Sequence, residues 1–166
     1  MGSTLNLNLA YGRSKQGEEV YDENPTAPGE TVNTVAVLTD QGIQGVDMYL
    51  GSMTAKRFVL YLEIYIIDLI VGGKVLIMDN HPVHTSIMVR EFLESHNIPY
   101  IYLPTYSPEL NPIEEAFSKI KHYIRKRKPR LVSDLIYTIK DAVQTVTQDD
   151  VIGYVNHAEE FLYVTA

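Results

Sequence analysis

The stretch Val75-Leu-Ile-Met-Asp79-Asn80-His81 decides the fold of this chain of 166 residues. The glycine pair Gly72-Gly73 comes before a short, mostly apolar run at residues 74–78, and a carboxylate follows that run directly. Short apolar runs of this kind are typical of strands buried on both faces of a sheet. The ends of such strands open into the functional crevice, so Asp79 is the first candidate for chemistry. A turn or a helix cap is the structural alternative for this residue.

Strand and helix patterns alternate on both sides of this run. Before it, the sequence predicts a half-buried strand at residues 5–9, a long loop at 11–30, a hairpin from strands 31–39 and 43–50, and a helix capped by Thr54 that ends at Gly72-Gly73. After it, the sequence predicts a helix at 85–96, a buried strand at 100–103, a helix from Pro112 to about Lys128, and helices starting at Ser133 and Thr147. This order indicates an α/β fold with one mixed sheet flanked by helices.

The predicted helices have apolar stripes at helical spacing. The inward side chains are Phe58, Val59, Leu62, Ile66, Leu69 and Ile70 in the first helix, Met88, Val89, Phe92 and Leu93 in the second, and Ile113, Phe117, Ile120 and Ile124 in the third.

Charge is distributed unevenly along the chain. The 21 acidic residues outnumber the 14 Lys and Arg residues, which gives a net charge of −7. Seven of those 14 cations lie in residues 119–130, which contain no acid, so the rest of the chain carries 7 − 21 = −14. Without a polyanion these cations would repel one another, which favours a phosphate partner over a merely solvated amphipathic helix.

Composition excludes several classes of protein. The chain has no Cys, which rules out disulfide frameworks, thiolate metal sites and cysteine nucleophiles. The longest apolar run, residues 58–71, contains Glu63 and Asp68 and is too short to span a bilayer. No signal peptide is visible, so we expect a cytoplasmic protein without a membrane partner. The length predicts a single domain over residues 1–166.

The second candidate for chemistry is Glu114, in the segment Ser107-Pro-Glu-Leu-Asn111-Pro-Ile-Glu114. A structural interpretation is also available, because Asn111 suits an N-cap and Glu114 stands where a capping-box carboxylate belongs. Steps of three and four residues lead from Glu114 to Ser118, to Lys121 or His122, and then to Arg125. This helix face would hold a metal beside a phosphodiester strand.

Two other kinds of site find little support. His81 and His84 form an H-x-x-H pair near Asp79, but no clear third protein ligand for zinc accompanies them. His84 is better explained as a residue that orients the Asp79 loop or caps the next helix. The chain also lacks a G-x-x-x-x-G-K-[ST] loop, which excludes a Walker-type nucleotide site.

The motifs around Asp79 and Glu114 together resemble the catalytic domain of DDE transposases of the mariner-like and bacterial insertion-sequence group. The resemblance rests on the run from Val75 to His84, on the motif from Leu103 to Glu114, and on the thirty-four residues between the two acids. The segment Tyr11 to Gly17 and the hairpin also follow the family's order. The resemblance extends over nearly the whole chain.

The resemblance implies a ribonuclease-H-like sheet, and it implies that Asp79 and Glu114 hold two Mg²⁺ or Mn²⁺ ions. In such sites one ion activates a water or a DNA 3′-hydroxyl, and the other stabilises the leaving oxygen. The implied partners are DNA, with a homodimer as a further possibility, in a bacterial cytoplasm. The expected DNA-binding residues are Lys119, Lys121, His122, Arg125, Lys126, Arg127 and Lys128, and the expected supporting residues are Asn80, His84 and Asn111.

The chain departs from the family pattern at its N-terminus. The positions of the family's first acidic pair are occupied by Met1 and Gly2, and the central strand and helix-turn-helix region would precede Met1. The slot of that strand would then be filled by residues 5–9 or by a partner chain. We therefore expect impaired metal-dependent DNA cleavage and strand transfer. The alternatives are an inactive remnant that only binds DNA or oligomerises, and another metal nuclease of the same fold.

Overall fold

The structure, a computed structural model, describes residues 1–3, 31–70 and 72–164. The strand predicted at residues 5–9 and the loop predicted at 11–30 lie outside the described residues. The described strands are β1 (Gly2–Ser3), β2 (Val32–Thr39), β3 (Gly42–Leu50), β4 (Leu76–Met78) and β5 (Tyr100–Tyr102). The described α-helices are α1 (Ala55–Tyr61), α2 (Ile87–Ser95), α3 (Pro112–Arg127), α4 (Val132–Val143) and α5 (Gln148–Val164). These bounds confirm the predicted order of elements from the hairpin onward.

The described strands form two separate sheets instead of the single mixed sheet predicted. The first sheet has the order β1-β2-β3 and is antiparallel, while the second consists of β4 paired in parallel with β5. A β-bulge between Val35 and Val37 interrupts the hairpin register. Between the sheets the described residues leave a groove of about 1050 Å³. No described strand fills the slot of the family's central strand, and residues 5–9, expected to fill it, lie outside the described residues, so that expectation stays a prediction.

Each side of the groove has its own hydrophobic core. The C-terminal core joins the first sheet to α3, α4 and α5, and its fully buried side chains include Ile120, Ile124, Leu135 and Ile139. The central core joins β4 to α1, to the turn after it, and to α2. The two faces of β2 contribute to different cores, because successive side chains of a strand alternate in direction. Val32 packs in the C-terminal core, and Val35 packs against the central core.

The two short strands are buried on one face only. Leu76 and Met78 are buried, as predicted, but Ile77 is 57% exposed and Ile101 is 55% exposed. The prediction of burial on both faces was therefore wrong for β4, and the buried strand predicted at 100–103 has an exposed Ile101. The physical reason is the groove, since no neighbouring element covers the second face of this sheet in the part of the chain that the structure describes. Met88, predicted to point inward from α2, is also exposed.

The start of α1 follows its predicted cap, because Thr54 Oγ1 accepts a hydrogen bond from the Arg57 backbone N–H at 3.3 Å. The helix does not continue unchanged to the glycine pair. It widens into a π-helical segment at Leu62–Ile66, and turns follow. Leu62 and Ile66 are buried in this segment while Glu63 and Ile64 are exposed, so the wide turn keeps the apolar stripe on the core.

Candidate functional site

Asp79 follows β4 in a loop that is fastened to β5. The Asn80 side-chain amide donates to the carbonyl of Leu103, and the Tyr102 hydroxyl donates to the carbonyl of His84 at 2.9 Å. Both bonds join the loop to the neighbouring strand, so the position of Asp79 is set by the parallel pairing of β4 with β5. Asn80 and His84 could be predicted from the sequence but Tyr102 could not, because a contact across eighteen residues leaves no local signal.

His84 orients the Asp79 carboxylate. Its Nδ1 lies 2.6 Å from Asp79 Oδ1, and an ionised carboxylate accepts only, so the ring donates. The same oxygen accepts the His81 backbone N–H at 3.1 Å. Among the described residues Oδ2 has no hydrogen-bond donor, and it is free to meet a ligand. The Asp79 side chain is 53% exposed.

The surroundings of His84 favour its neutral form. Burial lowers the pKa of the imidazole, and the charge of Asp79 opposes that shift without reversing it. The ring of Phe58 lies against it, with centroids 4.4 Å apart. This contact ties the loop to α1 and was also missed from the sequence, because Phe58 belongs to an ordinary apolar stripe.

Glu114 stands in the first turn of α3, as predicted, but the capping alternative loses support. The Asn111 side chain makes no capping hydrogen bond, although Asn111 occupies the N-cap position. The Asn111 backbone N–H, which a capping-box carboxylate would bind, donates instead to the Pro108 carbonyl at 3.0 Å. None of these bonds supports a capping-box role for the Glu114 carboxylate.

The two candidate acids line the same groove between the sheets, together with Met1 and Asn111. Burial lowers the pKa of the Met1 ammonium, while the charges of Glu114 and Asp79 raise it and that of Lys121 lowers it. All three charges therefore lie close enough to Met1 to act on it. Folding brings Asp79 and Glu114, which are far apart in sequence, to the same end of the groove.

The predicted DNA-binding cations of α3 are divided between two sides of the helix. Lys119 points toward α5, where its Nζ donates to Asp150 Oδ2 at 2.5 Å. Glu115, on the same side, accepts from His157 Nδ1 at 2.7 Å. These two pairs hold α5 against α3. Lys119 is thus engaged in a carboxylate pair between two helices.

The remaining cations lie elsewhere on the helix and at its end. Lys121 and Arg125 are partly buried, whereas His122, Lys126 and Arg127 are exposed. Arg127 donates to the Tyr123 hydroxyl at 2.8 Å and lies over that ring. Lys128 ends the helix in the left-handed region, with φ of 50°. The cation that acts on Met1 is Lys121, which places the start of the basic surface beside the two acids.

The donor set suits an oxygen-binding cation better than zinc. Two carboxylates in one groove are ligands that Mg²⁺ and Mn²⁺ accept together with water. His84 is already bonded to Asp79, and His81 Nδ1 accepts the Val83 N–H at 3.3 Å. Within the described ranges, no group of three or more His, Asp or Glu residues converges on one point. Asp79 and Glu114 are therefore the candidate carboxylates of this groove.

Comparison with known families decides where the chain belongs. Residues 1–136 match the family model described as DDE superfamily endonuclease. The chain belongs to this family. A DDE relative, the Tcb2 transposase of a transposable element of Caenorhabditis briggsae, is 26% identical over 68 residues. That match covers 41% of this chain and 25% of the relative.

Solved structures of Mos1 transposase share the fold. The Mos1 strand transfer complex superposes with a TM-score of 0.75 at 14% identity, covering 96% of this chain and 50% of that one. The Mos1 catalytic domain, solved with raltegravir and Mg, gives 0.68 at 17% identity, covering 79% and 73%. These matches confirm the ribonuclease-H-like α/β fold predicted for the chain.

The chain therefore spans about half the length of the Mos1 chain in the strand transfer complex. Relatives of the mariner and Tc group confirm the expected DDE transposase family, while a bacterial origin and a cytoplasmic location stay predictions. Of the helices that the structure describes, none has both the length and the apolar character required to cross a bilayer.

Proposed function

We propose that this chain is the catalytic portion of a DDE transposase, acting on DNA with a divalent Mg²⁺ or Mn²⁺ held by Asp79 and Glu114. The observation that carries the proposal is the meeting of these two acids in one groove, at the start of a helix that continues into cations. Structures of Mos1 with Mg and with Mn, and in complex with transposon ends, support the same chemistry in a relative.

The residues around the acids have distinct tasks in this proposal. Asp79 would hold the ion through Oδ2, because His84 and the His81 N–H already occupy Oδ1 and fix the plane of the carboxylate. Glu114 would complete the protein ligands from the opposite wall of the groove. A bound ion would supply Lewis-acid polarisation of a phosphodiester and of its attacking oxygen.

DNA would lie along α3, with its phosphates on the cations that follow Glu114. Lys121, next to the acids, would hold the phosphate nearest the scissile bond, and Arg125 and Lys126 would hold phosphates further along. These contacts position the strand without reading its sequence. His122, Arg127 and Lys128 would extend the same surface, whereas Lys119 serves the contact with α5. A homodimer, which the paired-end complexes of Mos1 suggest, would supply a second such surface.

Activity of residues 1–166 alone is proposed to be weak. Met1 and Gly2 stand where the family pattern has its first acid, and the described residues contain no third carboxylate that joins Asp79 and Glu114. That observation also favours a second candidate, in which the domain binds DNA or oligomerises without cleaving. DNA cleavage by a variant with an Asp at position 1 would exclude this second candidate.

The test of the proposal is Mn²⁺ binding measured by calorimetry. We expect Asp79→Asn to abolish the binding heat, because the amide removes the charge that a hard cation needs. The matched control is Asp141→Asn, an exposed acid on α4 away from the groove, which should bind like the unchanged protein. Equal Mn²⁺ binding by Asp79→Asn and Asp141→Asn would rule out the metal site.

A further inference from the structure

Tyr106 is the most exposed large apolar or aromatic side chain in the part of the chain that the structure describes. Its exposed fraction is 96%, and the next, that of Tyr137 on α4, is 68%. Among the described residues no hydrogen bond, ion pair or ring contact involves the Tyr106 side chain. A single exposed aromatic ring is common on protein surfaces, and it is the backbone of Tyr106 that sets this one apart.

The backbone of Tyr106 lies in the left-handed region, with φ of 60°. Two other non-glycine residues of the described chain share this conformation, Asn97 and Lys128. Lys128 ends α3 and Asn97 comes just after α2, and left-handed residues are common at such helix ends. Tyr106 follows β5 and closes no helix. For a bulky residue this conformation costs free energy, and strain of this kind is concentrated at functional sites.

The loop that carries Tyr106 is held at both ends. At its start the Leu103 N–H donates to the Met78 carbonyl at 2.8 Å, and the Leu103 carbonyl accepts from the Asn80 side-chain amide. At its end Pro108 begins the 3₁₀ turn that leads into α3, and its ring fixes φ there. The ring of Tyr106 is therefore presented to solvent from a restrained loop.

The same loop lies between the two candidate acids. Leu103 is bonded to Asn80, the residue after Asp79, and Glu114 stands in the first turn of α3. Three residues of chain reach at most about 11 Å, and a stacked DNA strand rises about 3.4 Å per nucleotide. Tyr106, three residues after Leu103, therefore lies within about three nucleotides of the Asp79 loop.

The chemistry of this loop suits a nucleobase better than a phosphate. Residues 91–118 contain no Lys or Arg, whereas seven cations follow in residues 119–130. A DNA strand whose phosphates lie along α3 passes Glu114 and then meets a segment without cations. Tyr106 offers a flat ring there, and bases of any sequence stack on aromatic rings.

We propose that Tyr106 is a stacking platform for an unpaired nucleobase of the DNA strand, within about three nucleotides of the phosphate at the acids. This role rests on the proposed function, because it needs DNA held along α3. The base must be unpaired or terminal, since the faces of a base inside a duplex are covered by its neighbours. The left-handed backbone turns the ring away from the fold, so that its faces stay open to the base.

Binding of two oligonucleotides tests the proposal, with EDTA present so that no metal site is required. One is an oligothymidylate of about twelve nucleotides, and the other has the same backbone with abasic sites in place of the bases. Fluorescence anisotropy measures both affinities. We expect Tyr106→Ala to weaken binding of the oligothymidylate about tenfold and to leave binding of the abasic strand unchanged. Tyr106→Phe keeps the ring and should bind both like the unchanged protein.

Two control variants separate stacking from contacts with the backbone of DNA. Tyr137→Ala removes an exposed tyrosine of α4 and should bind both oligonucleotides like the unchanged protein. Lys126→Ala should weaken both equally and lower the salt dependence of binding, as loss of a phosphate contact does. Equal losses on the two oligonucleotides for Tyr106→Ala would assign the residue to the phosphate backbone and overturn the proposal. A loss for Tyr106→Phe as large as that for Tyr106→Ala would assign the contact to the hydroxyl and overturn it as well.

Stability separates stacking from a structural role. Asn tolerates the left-handed region, so Tyr106→Asn should not lower the urea midpoint, while its affinity for the oligothymidylate falls about tenfold. A lower midpoint would show that the ring packs within the fold and would overturn the proposal. A dimer in sedimentation that Tyr106→Ala dissociates, with affinity for DNA unchanged, would assign the ring to a second copy and overturn it too.

The same measurements distinguish failure of the stacking role from failure of the proposed function. If Tyr106→Ala binds the oligothymidylate like the unchanged protein while Lys126→Ala binds it more weakly, the stacking role is wrong and the DNA surface on α3 stands. If the unchanged protein binds neither oligonucleotide, or if neither substitution weakens binding, both proposals are wrong.

Discussion

The two hydrophobic cores on either side of the groove differ in how completely they are enclosed. The C-terminal core receives side chains from the hairpin and from three helices, and Ile120, Leu135 and Ile139 have no exposed surface. In the central core, β4 buries Leu76 and Met78 but leaves the intervening Ile77 more than half exposed. Apolar side chains are thus fully buried in the C-terminal core, whereas in the central core one apolar side chain of β4 stays exposed.

This difference shows that burial depends on neighbours as well as on composition. The helices α3 and α4 cover each other and one face of the hairpin, so the C-terminal core needs no further element. The sheet of β4 and β5 has helices on one face and the groove on the other. Mutations on the two sides should therefore have very different costs.

The largest effect is expected in the enclosed core. Leu135→Ala should lower the free energy of unfolding by about 3 kcal/mol, because a fully buried leucine leaves a cavity that its neighbours only partly close. Urea unfolding followed by circular dichroism measures this cost. A loss below about 1 kcal/mol would show that this core is loosely packed and would remove the contrast between the two regions.

A smaller effect is expected where α5 begins beside α3. Asp150 Oδ2 accepts from the Thr147 N–H at 2.8 Å and from Lys119, and Thr147 Oγ1 accepts from the Asp150 N–H at 3.3 Å. This reciprocal arrangement is a capping box, so Asp150→Ala should cost about 1 kcal/mol in the same urea assay. Asp149→Ala is the matched control, since its exposed side chain lies outside the box; equal costs would contradict the assignment.

The stabilisation from Asp150 should also depend on pH. The hydrogen bond from Lys119, and then those from Thr147, lower the pKa of the Asp150 carboxyl from 3.8 to about 2. Because the folded-state pKa is the lower one, the contribution is complete above 3.8 and is lost as pH falls toward about 2. The difference between Asp150→Ala and the unchanged protein should shrink over that interval.

The smallest effect is expected on the open face. Ile77→Thr keeps a β-branched residue on an exposed position of β4, so the unfolding free energy should change by less than about 0.5 kcal/mol. A large cost would mean that this face is already covered.

Much of the fold could be predicted, because local sequence patterns indicate most of its helices and strands. In α3, the stripe Phe117, Ile120 and Ile124 follows helical spacing and is buried. Thr54 caps α1, as its position in the sequence predicts. The exposure of Ile77 could not be predicted, since a continuous apolar run looks the same whether its second face is covered or open. The separation of the described strands into two sheets could not be predicted either, because pairing between strands distant in sequence leaves no local pattern.

The two acids of the candidate site could be predicted from the sequence, but several residues that contact the site could not. Asp79 follows a strand and Glu114 starts a helix, and both positions are visible in the sequence. The partner of Lys119 was hidden, because Asp150 lies thirty-one residues away on another helix. The hydrogen bond from Tyr102 to the Asp79 loop was hidden for the same reason, since it depends on the pairing of β4 with β5.

The π-helical segment at Leu62–Ile66 has a consequence for the length of the chain. A π turn holds more residues than an α turn. The helix therefore accommodates one extra residue without forming a loop. That residue lies on the solvent side, at the exposed positions Glu63 and Ile64. Removing one residue there would tighten the turn and keep Phe58 against His84, so this segment is the place where the helix tolerates a deletion.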